Sequence, residues 1–237
     1  MENYGKEDLL VWSTLFKRQQ KNLKEKGSKR YLHCLNQMQE VLNADEIPDF
    51  EKINAWFYHQ TGWKIEVVPG LIPVEDFFDL LAQKRFCSST WLRTMEQLDY
   101  LEEPDMFHDI FGHIPLLADP QFSEFAHAFG KLGQAHKHNS WAVVQLQRLY
   151  WFTIEFGVIW EEEQLKSYGA GILSSFGETN RVANQNCNLI SFDIDLVLNR
   201  FFRTDVLQED YFLIQSFEEL NSVLKQVNTI LSRKVYI

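Results

Sequence analysis

Two histidines and one glutamate have the residue types that bind a catalytic metal ion. His108 and His113 lie five residues apart in the segment 105–115, which also contains a glycine and a proline. Glu155 follows about 40 residues later as the one acid in the apolar run 149–157 (LYWFTIEFG). Two imidazoles and one carboxylate are the ligands of non-haem iron(II) oxygenases, in which the remaining metal positions stay open. The pattern therefore favours an oxidising enzyme.

The spacing of the histidines predicts how the chain must fold around the metal. On an α-helix, residues five apart point roughly 140° away from each other, so the two rings would not share a face. The zincin pattern, with histidines four apart, is not present. We therefore expect a helix to end between them, with Gly112 and Pro115 causing the break. His108 would then lie late in the helix and His113 just beyond it.

Other interpretations of these three residues remain open at this point. A single histidine or glutamate in an amphipathic segment is usually a hydrogen-bonded structural residue. Glu155 argues against this, because a carboxylate is rarely buried without a partner. A zinc hydrolase could use the same two histidines and one glutamate.

Length and composition restrict the class of protein. The 237 residues fit one large domain, or at most two small ones, and 45% of them are hydrophobic. The net charge of −10 disfavours nucleic acid and anionic membranes as partners. The first residues do not resemble a signal peptide, and no apolar run is long enough to span a bilayer. Three widely spaced cysteines indicate reduced thiols, so we expect a cytoplasmic protein.

Hydrophobic periodicity predicts a mainly α-helical protein with a few short strands. Strands are expected only at residues 64–68 and 211–215. The predicted helices are 7–26, a second run through residues 32–42, 48–62 with Asp49 as N-cap, one starting at Pro73, 103–112, 120–130, 140–159, 193–202 and a last one after a capping box at 216–219. Residues 131–139 are predicted to be a polar loop.

Four strings in this chain resemble the pterin-dependent aromatic amino acid hydroxylases, and among them the short bacterial phenylalanine 4-hydroxylases. The strings are 68–77 (VPGLIPVEDF), 103–113 (EPDMFHDIFGH), 149–155 (LYWFTIE) and 168–178 (YGAGILSSFGE). They occur in the order and spacing of that family, and the resemblance covers the chain from about Leu9 to the last helix. It implies a mostly helical catalytic domain with few strands, built around a mononuclear iron site.

The resemblance also assigns roles to individual positions. It implies iron(II) at His108, His113 and Glu155. It implies a tetrahydropterin, such as tetrahydrobiopterin, beside Leu71, Ile72, Phe77 and Asp109, with Phe77 offering an aromatic face. It implies an amino acid substrate beside Arg93, Leu101, Trp151, Gly171 and Ser174. Arg93 would pair with the substrate carboxylate through a bidentate fork, and Gly169 and Gly171 would permit close backbone approach.

The chain departs from the family pattern at two of these positions. Leu101 stands where family members commonly have a threonine, so one hydroxyl near the substrate is missing. Asp109 stands where a glutamate is usual, which shortens the side chain by one methylene and would lengthen a contact to the pterin. Neither departure changes a metal ligand. We also expect one catalytic domain over residues 1–237, without a regulatory domain or a tetramerisation helix, and a monomer.

The resemblance implies a monooxygenase that uses iron(II), a reduced pterin and dioxygen to hydroxylate the ring of a free aromatic amino acid. Phenylalanine, converted to tyrosine in phenylalanine catabolism, is the favoured substrate because Trp151 is typical of phenylalanine hydroxylases. The alternatives are a tryptophan hydroxylase of the same family, the zinc hydrolase, and an inactive amino acid sensor.

Overall fold

Helices provide most of the structure, as the hydrophobic periodicity predicts. The computed structural model describes residues 4–99, 101 and 103–233. The α-helices of this part are α1 (Lys6–Leu23), α2 (Lys29–Gln37), α3 (Phe50–Gln60), α4 (Val74–Ala82), α5 (Ile114–Leu117), α6 (Pro120–His136), α7 (Ser140–Tyr150), α8 (Ala170–Leu173), α9 (Phe176–Ala183), α10 (Ile194–Asn199) and α11 (Phe217–Arg233). A short 3₁₀ helix covers Met95–Gln97, and two π-helices cover His108–His113 and Trp151–Glu155.

The strands are short and form two small sheets. They are β1 (Lys64–Val67), β2 (Arg85–Ser88), β3 (Val158–Glu161), β4 (Gln164–Ser167), β5 (Asn188–Ser191) and β6 (Asp210–Ile214). Strands β1 and β2 pair in parallel, and the other four form a sheet in the order β4-β3-β6-β5. In that sheet β3 and β4 are antiparallel, whereas β6 is parallel to both β3 and β5.

Helix ends agree with local sequence signals. The Asp49 carboxylate accepts hydrogen bonds from the amides of Glu51 and Lys52, which confirms the predicted N-cap of α3. Asp119 caps α6 in the same way, and Pro120 occupies the first turn of that helix, where no N–H is needed. These caps satisfy main-chain donors that would otherwise be unpaired.

Several sequence predictions differ from the structure, and helices α8 and α9 were not predicted. Helix α6 continues to His136 through most of the predicted polar loop, so it does not end at Gly130. The predicted helix 140–159 ends at Glu155, and Val158 already belongs to a strand that pairs with β6. Strands β2, β4 and β5 were not predicted, because four residues are too few to show a periodicity.

One hydrophobic core carries the segment with the two histidines. It includes residues from Val11 in α1 to Leu231 in α11. Phe107 and Phe111 are fully buried in it and stack with ring centroids 4.8 Å apart. Trp12 of α1 packs edge-on against Phe107 at 5.6 Å. Because each buried aromatic side chain contributes about 1.5–3 kcal/mol, this packing holds the first π-helix firmly against α1.

Helices α4 and α6 lie unusually close together, and α4 carries Phe77 toward the cavity described below. A Cβ atom at Gly130 would lie 2.5 Å from main-chain atoms of Leu81 and Ala82. A Cβ atom at Gly133 would lie 2.3 Å from the ring of Phe78. Gly130 therefore serves close helix packing rather than a helix end. Among the described residues, every helix is too short or too polar to cross a membrane.

We predict that Gly130→Ala lowers the free energy of unfolding by about 1–3 kcal/mol, because the added methyl group overpacks the contact between α4 and α6. Urea denaturation followed by circular dichroism measures this change. Gly177→Ala in α9 is the matched control, since its nearest atoms would be 3.7 Å away. The control should be neutral or stabilising by up to about 1 kcal/mol. Equal stability of the two variants would contradict the packing argument.

Candidate active site

The structure brings together the three side chains that were predicted to bind metal. The Nε2 atoms of His108 and His113 are 3.2 Å apart. The Glu155 carboxylate lies 3.3 Å from the first of these nitrogens and 3.1 Å from the second. Within the described ranges, no other group of three or more histidine, cysteine or acidic side chains has this arrangement. Three ligand atoms so close together can share a single ion.

A π-helix, rather than a helix break, puts the two histidines on one side. The chain is helical without interruption from His108 to Leu117, first as π-helix and then as α5. Hydrogen bonds in a π-helix join residue i to residue i+5, so residues five apart lie nearly above one another. The predicted helix end between His108 and His113 is therefore wrong. Pro115 is accommodated where the π-helix gives way to α5.

Gly112 has a different function from the one expected from the sequence. Its backbone is helical and does not adopt a positive φ angle. A Cβ atom at this position would lie 2.9 Å from the carbonyl oxygen of Ala170 and 3.1 Å from its Cβ. The glycine thus allows α8 to lie directly against the first π-helix.

Glu155 is held by a second π-helix and by the glycine-rich segment 169–171. The π-helix Trp151–Glu155 continues α7 and ends at Phe156. A Cβ atom at Gly169 would lie 2.5 Å from the Glu155 carbonyl oxygen, and one at Gly171 would lie 2.8 Å from its Oε1 atom. Both glycines were predicted to allow a close approach to the main chain. In the structure, the residue that approaches them is Glu155.

Ser174 orients one of the two imidazoles. Its hydroxyl donates to the carbonyl oxygen of Ala170 at 2.8 Å and lies 2.9 Å from His108 Nδ1. Because the only hydroxyl proton points to Ala170, the His108 Nδ1–H must be the donor of the second bond. This tautomer leaves the Nε2 lone pair facing Glu155 and His113. From the sequence, Ser174 was expected to contact the amino acid substrate. In the structure, its hydroxyl forms a hydrogen bond with His108.

The charges at this point favour a bound cation. Burial lowers the pKa of His108 to about 4, so its ring is neutral at physiological pH. Burial opposes the charge of Glu155, but the two imidazoles outweigh it and lower the pKa of that carboxyl group. The Nε2 atoms of the two rings and the carboxylate oxygens of Glu155 then point at one position. A metal ion satisfies all three, and the donor set suits iron(II).

Arg93 forms a buried ion pair that the sequence analysis did not foresee. Its Nε and Nη2 atoms donate to the two carboxylate oxygens of Asp105, each at 2.8 Å. Asp105 is fully buried and also accepts the main-chain amides of Arg93 and His108. The Nε and Nη2 donors of the guanidinium are therefore occupied, and mainly Nη1 remains available to bind another group. Nη1 makes only a weak contact of 3.4 Å to the Leu98 carbonyl oxygen. The pair ties Arg93 to the main chain of His108.

All twelve predicted site residues line one cavity of about 640 Å³. Those expected to contact a pterin are Leu71, Ile72, Phe77 and Asp109, and those expected to contact a substrate are Arg93, Leu101, Trp151, Gly171 and Ser174. The three metal-binding candidates face the same space. Sequence positions that are up to 103 residues apart in the chain, from 71 to 174, thus meet at one site.

Burial and one main-chain hydrogen bond determine the charge of the Asp109 carboxyl group. Its carboxylate accepts the main-chain amide of Ser89 at 2.9 Å. Burial raises the pKa of Asp109 to about 7, more than this hydrogen bond lowers it. The group can therefore donate or accept a hydrogen bond near neutral pH.

Aromatic rings form much of the remaining wall. Phe77 meets Tyr150 edge-on at 5.2 Å, and Tyr150 lies 6.3 Å from the His113 ring. Trp151 stacks on Phe202 at 4.4 Å with 15° between the planes, and it contacts Phe156 at 4.6 Å. The indole N–H of Trp151 donates to Gln208 at 2.9 Å.

Several residues around this cavity were not identified as functional from the sequence. Phe202 lies beyond the end of α10, although the predicted helix 193–202 extended to it, and Gln208 belongs to the irregular segment that follows, where no motif signals a function. Asp105 lies inside the histidine motif, three residues before His108, and an acid at that distance from a metal ligand was the one available signal. Tyr150 was part of the apolar run around Glu155 and was given no role.

Comparisons with known proteins agree with this site. The family model of biopterin-dependent aromatic amino acid hydroxylases matches residues 2–237. A phenylalanine-4-hydroxylase of Chromobacterium violaceum is 43% identical over 221 residues, which cover 93% of this chain and 73% of that protein.

Solved structures give the same result. The crystal structure of Chromobacterium violaceum phenylalanine hydroxylase with bound iron(III) and 7,8-dihydrobiopterin has a TM-score of 0.89 and 42% identity, covering 98% of this chain and 84% of that one. The apo structure of the cold-active phenylalanine hydroxylase of Colwellia psychrerythraea has a TM-score of 0.92 and 35% identity, covering 98% of this chain and 90% of that one. The chain therefore belongs to the biopterin-dependent aromatic amino acid hydroxylases.

Proposed function

We propose that this protein is a phenylalanine 4-monooxygenase, which converts free L-phenylalanine to L-tyrosine with iron(II), a tetrahydropterin and dioxygen. The observation that carries the proposal is the meeting of His108, His113 and Glu155 at the wall of a largely apolar cavity that Arg93 also lines. Such a cavity fits a small aromatic amino acid, and its single cation suits a carboxylate. The names of the related enzymes support the same reaction.

In this proposal the three ligands hold iron through the His108 and His113 Nε2 atoms and the Glu155 carboxylate. Together with a reduced pterin, the bound iron supplies the activation of dioxygen that ring hydroxylation requires. The protein contributes the neutral imidazole of His108, the imidazole of His113 and the Glu155 carboxylate at the wall of a largely apolar cavity. Ser174 keeps His108 in the tautomer that binds metal, so its contribution is made through the histidine.

The pterin is proposed to lie against the segment 70–72, Phe77 and Asp109. Leu71 is 73% exposed although it is apolar, and it lines the cavity. Apart from its two neighbours in the chain, no described residue would have an atom within 4 Å of a Cβ at Gly70, so the space beside this segment is open. A flat ring placed there would cover Leu71, and Asp109 could form a hydrogen bond with its polar edge.

The substrate is proposed to lie between Arg93 and Trp151, with Leu101 and Gly171 as neighbouring walls. Arg93 retains Nη1 donors after pairing with Asp105, so it can still bind a carboxylate. Asp105 restricts the guanidinium and thereby presents those donors in a constant direction. Leu101 offers no hydrogen bond, which is suited to an unsubstituted phenyl ring.

We also propose that the described residues work as one catalytic domain. The core that includes Val11 and Leu231 also contains Phe107 and Phe111, which support the first π-helix. Residues at both ends of the described chain therefore stabilise the iron site.

Oxygen uptake tests the function directly. We expect uptake and tyrosine formation only when iron(II), a reduced pterin and phenylalanine are all present, with tyrosine and tryptophan as comparison substrates. His113→Ala should lose both stoichiometric iron and activity while keeping its circular dichroism spectrum, because two ligands do not hold the ion. Full iron content in this variant would contradict the metal assignment. Turnover of tryptophan in preference to phenylalanine would contradict the substrate assignment alone.

The contribution of Ser174 can be measured without turnover. Ser174→Ala removes the acceptor of the His108 Nδ1–H, and loss of such an outer contact lowers metal affinity about 10- to 100-fold. Anaerobic competition with a coloured iron(II) chelator gives the dissociation constant. Ser123→Ala is the control, because Ser123 is equally buried but accepts a hydrogen bond from Trp63. If both variants bind iron as tightly as the native protein, the role of Ser174 is refuted.

The carboxylate role of Arg93 is tested with a substrate analogue. The native protein should use phenylalanine about 10- to 100-fold better than phenylalaninamide, as judged by kcat/KM, because a charge-assisted hydrogen bond contributes about 1.5–3 kcal/mol. Arg93→Lys keeps the positive charge next to Asp105 but loses the planar fork. The preference for the carboxylate should therefore shrink in this variant. An unchanged preference would show that another group binds the carboxylate.

A further inference from the structure

Gln208 is a buried glutamine whose side chain connects the substrate wall to a loop. It is 5% exposed and lies in the irregular segment between α10 and β6. Its Oε1 atom accepts the indole N–H of Trp151 at 2.9 Å. Its Nε2 atom donates to the carbonyl oxygens of Arg203 at 2.7 Å and Val206 at 3.2 Å. One amide group thus binds both the indole and the loop.

The main chain of Gln208 is held as firmly as its side chain. Its amide donates to Glu178 Oε1 at 2.9 Å, and its carbonyl accepts the Arg181 Nε–H at 2.8 Å. Both partners belong to α9. The other Glu178 oxygen accepts a short hydrogen bond from the Tyr211 hydroxyl. Since the polar groups of Gln208 are all engaged, the side chain cannot rotate without breaking several bonds.

This anchoring determines where the indole of Trp151 can lie. Phe202 stacks on the indole and Phe156 contacts it, but neither ring contact fixes rotation within the plane of the stack. The hydrogen bond to Gln208 does, because it is directional and the indole N–H is its only donor. The segment that Gln208 holds also supplies cavity wall, at Thr204 and Val206.

We propose that Gln208 is a positioning residue that sets the discrimination between one-ring and two-ring amino acid side chains. It does so by holding the Trp151 indole and the loop 203–206 in fixed relation, so that the cavity has room for a phenyl ring and excludes an indole. The proposal rests on the proposed function, because it concerns the specificity of the same site. Gln208 itself makes no contact with the reacting atoms in this account.

A double-mutant cycle tests the coupling between Gln208 and Trp151. The variants are Gln208→Met, which keeps the volume and removes the amide, Trp151→Phe, and the double variant. The measured quantity is the ratio of kcat/KM for tryptophan to that for phenylalanine. Gln208→Met removes the hydrogen bond to the indole and the two to the loop. Because one buried hydrogen bond corresponds to a change of roughly two- to tenfold, the variant should raise the ratio by at least about that factor. The change should arise mainly in KM, because a widened wall alters binding rather than the chemical step.

The double variant distinguishes positioning from a general loss of stability. When Trp151 is already phenylalanine, Gln208 has no indole to hold relative to the loop, so Gln208→Met should change the ratio by a clearly smaller factor than it does in the native protein. A merely structural role predicts that the effects of the two single changes multiply, and this outcome would overturn the proposal. Gln19→Leu is the control for losing a buried amide, because Gln19 donates to Leu173 and Thr179 and does not touch Trp151.

An NMR measurement tests the same idea independently of activity. The protein has 7 tryptophans, and the indole ¹H–¹⁵N signal of Trp151 is the one absent from Trp151→Phe. In Gln208→Met this signal should shift upfield as its hydrogen bond is lost, and in Gln19→Leu it should stay. If Gln208→Met does not fold, Gln208→Asn withdraws the amide by one methylene and should give the same shift. An unmoved signal refutes the positioning role, whereas absence of any pterin-dependent turnover in the native protein refutes the proposed function only.

Discussion

The structure depends on the need to hold three lone-pair donors at one point inside a protein core. Two imidazole lone pairs and a carboxylate that point at one position repel one another unless a cation lies between them, and burial increases this cost. The chain holds them on closely packed elements that leave the three side chains little freedom to move. Each ligand is on a π-helix, and the glycine-rich segment 169–171 packs directly against Glu155. The apolar packing of Phe107 and Phe111 against α1 supplies the stability that this arrangement requires.

Polar side chains around these three residues restrict their orientation further. Ser174 fixes the tautomer of His108, and Asp105 joins the main-chain amide of His108 to the Arg93 guanidinium. A buried ion pair such as Arg93 with Asp105 is weak evidence of stability, since desolvation offsets much of the attraction. Its value here is geometric, because it fixes the guanidinium of Arg93 relative to the main chain of His108. Arg93, Asp105 and His108 are thus joined by a short chain of contacts at the wall of the cavity.

The far wall of the cavity follows a different physical principle. Trp151, Phe156 and Phe202 are in mutual contact, and rings of this kind can slide on one another at small cost. A directional hydrogen bond removes that freedom, and Gln208 is the residue that provides it. The wall therefore combines apolar contacts, which supply most of the binding surface, with one polar contact that determines its shape.

The sequence by itself determined the helical character of the chain and the three residue types that meet at one point, and twelve residues predicted from it line one cavity. Those residues could be found because their chemistry is rare in apolar surroundings and because the strings that contain them follow a family pattern. Helix boundaries were less accessible: the π-helices at His108–His113 and Trp151–Glu155 have no periodicity that distinguishes them from α-helix, and β3 became recognisable only through its pairing with β4 and β6. Only the tertiary structure decided that Gly112 makes room for Ala170, that Ser174 serves His108, and that Gln208 holds Trp151. Each of these is a contact between segments 57 or more residues apart in the chain, and local sequence contains no information about which distant atom will fill a given space.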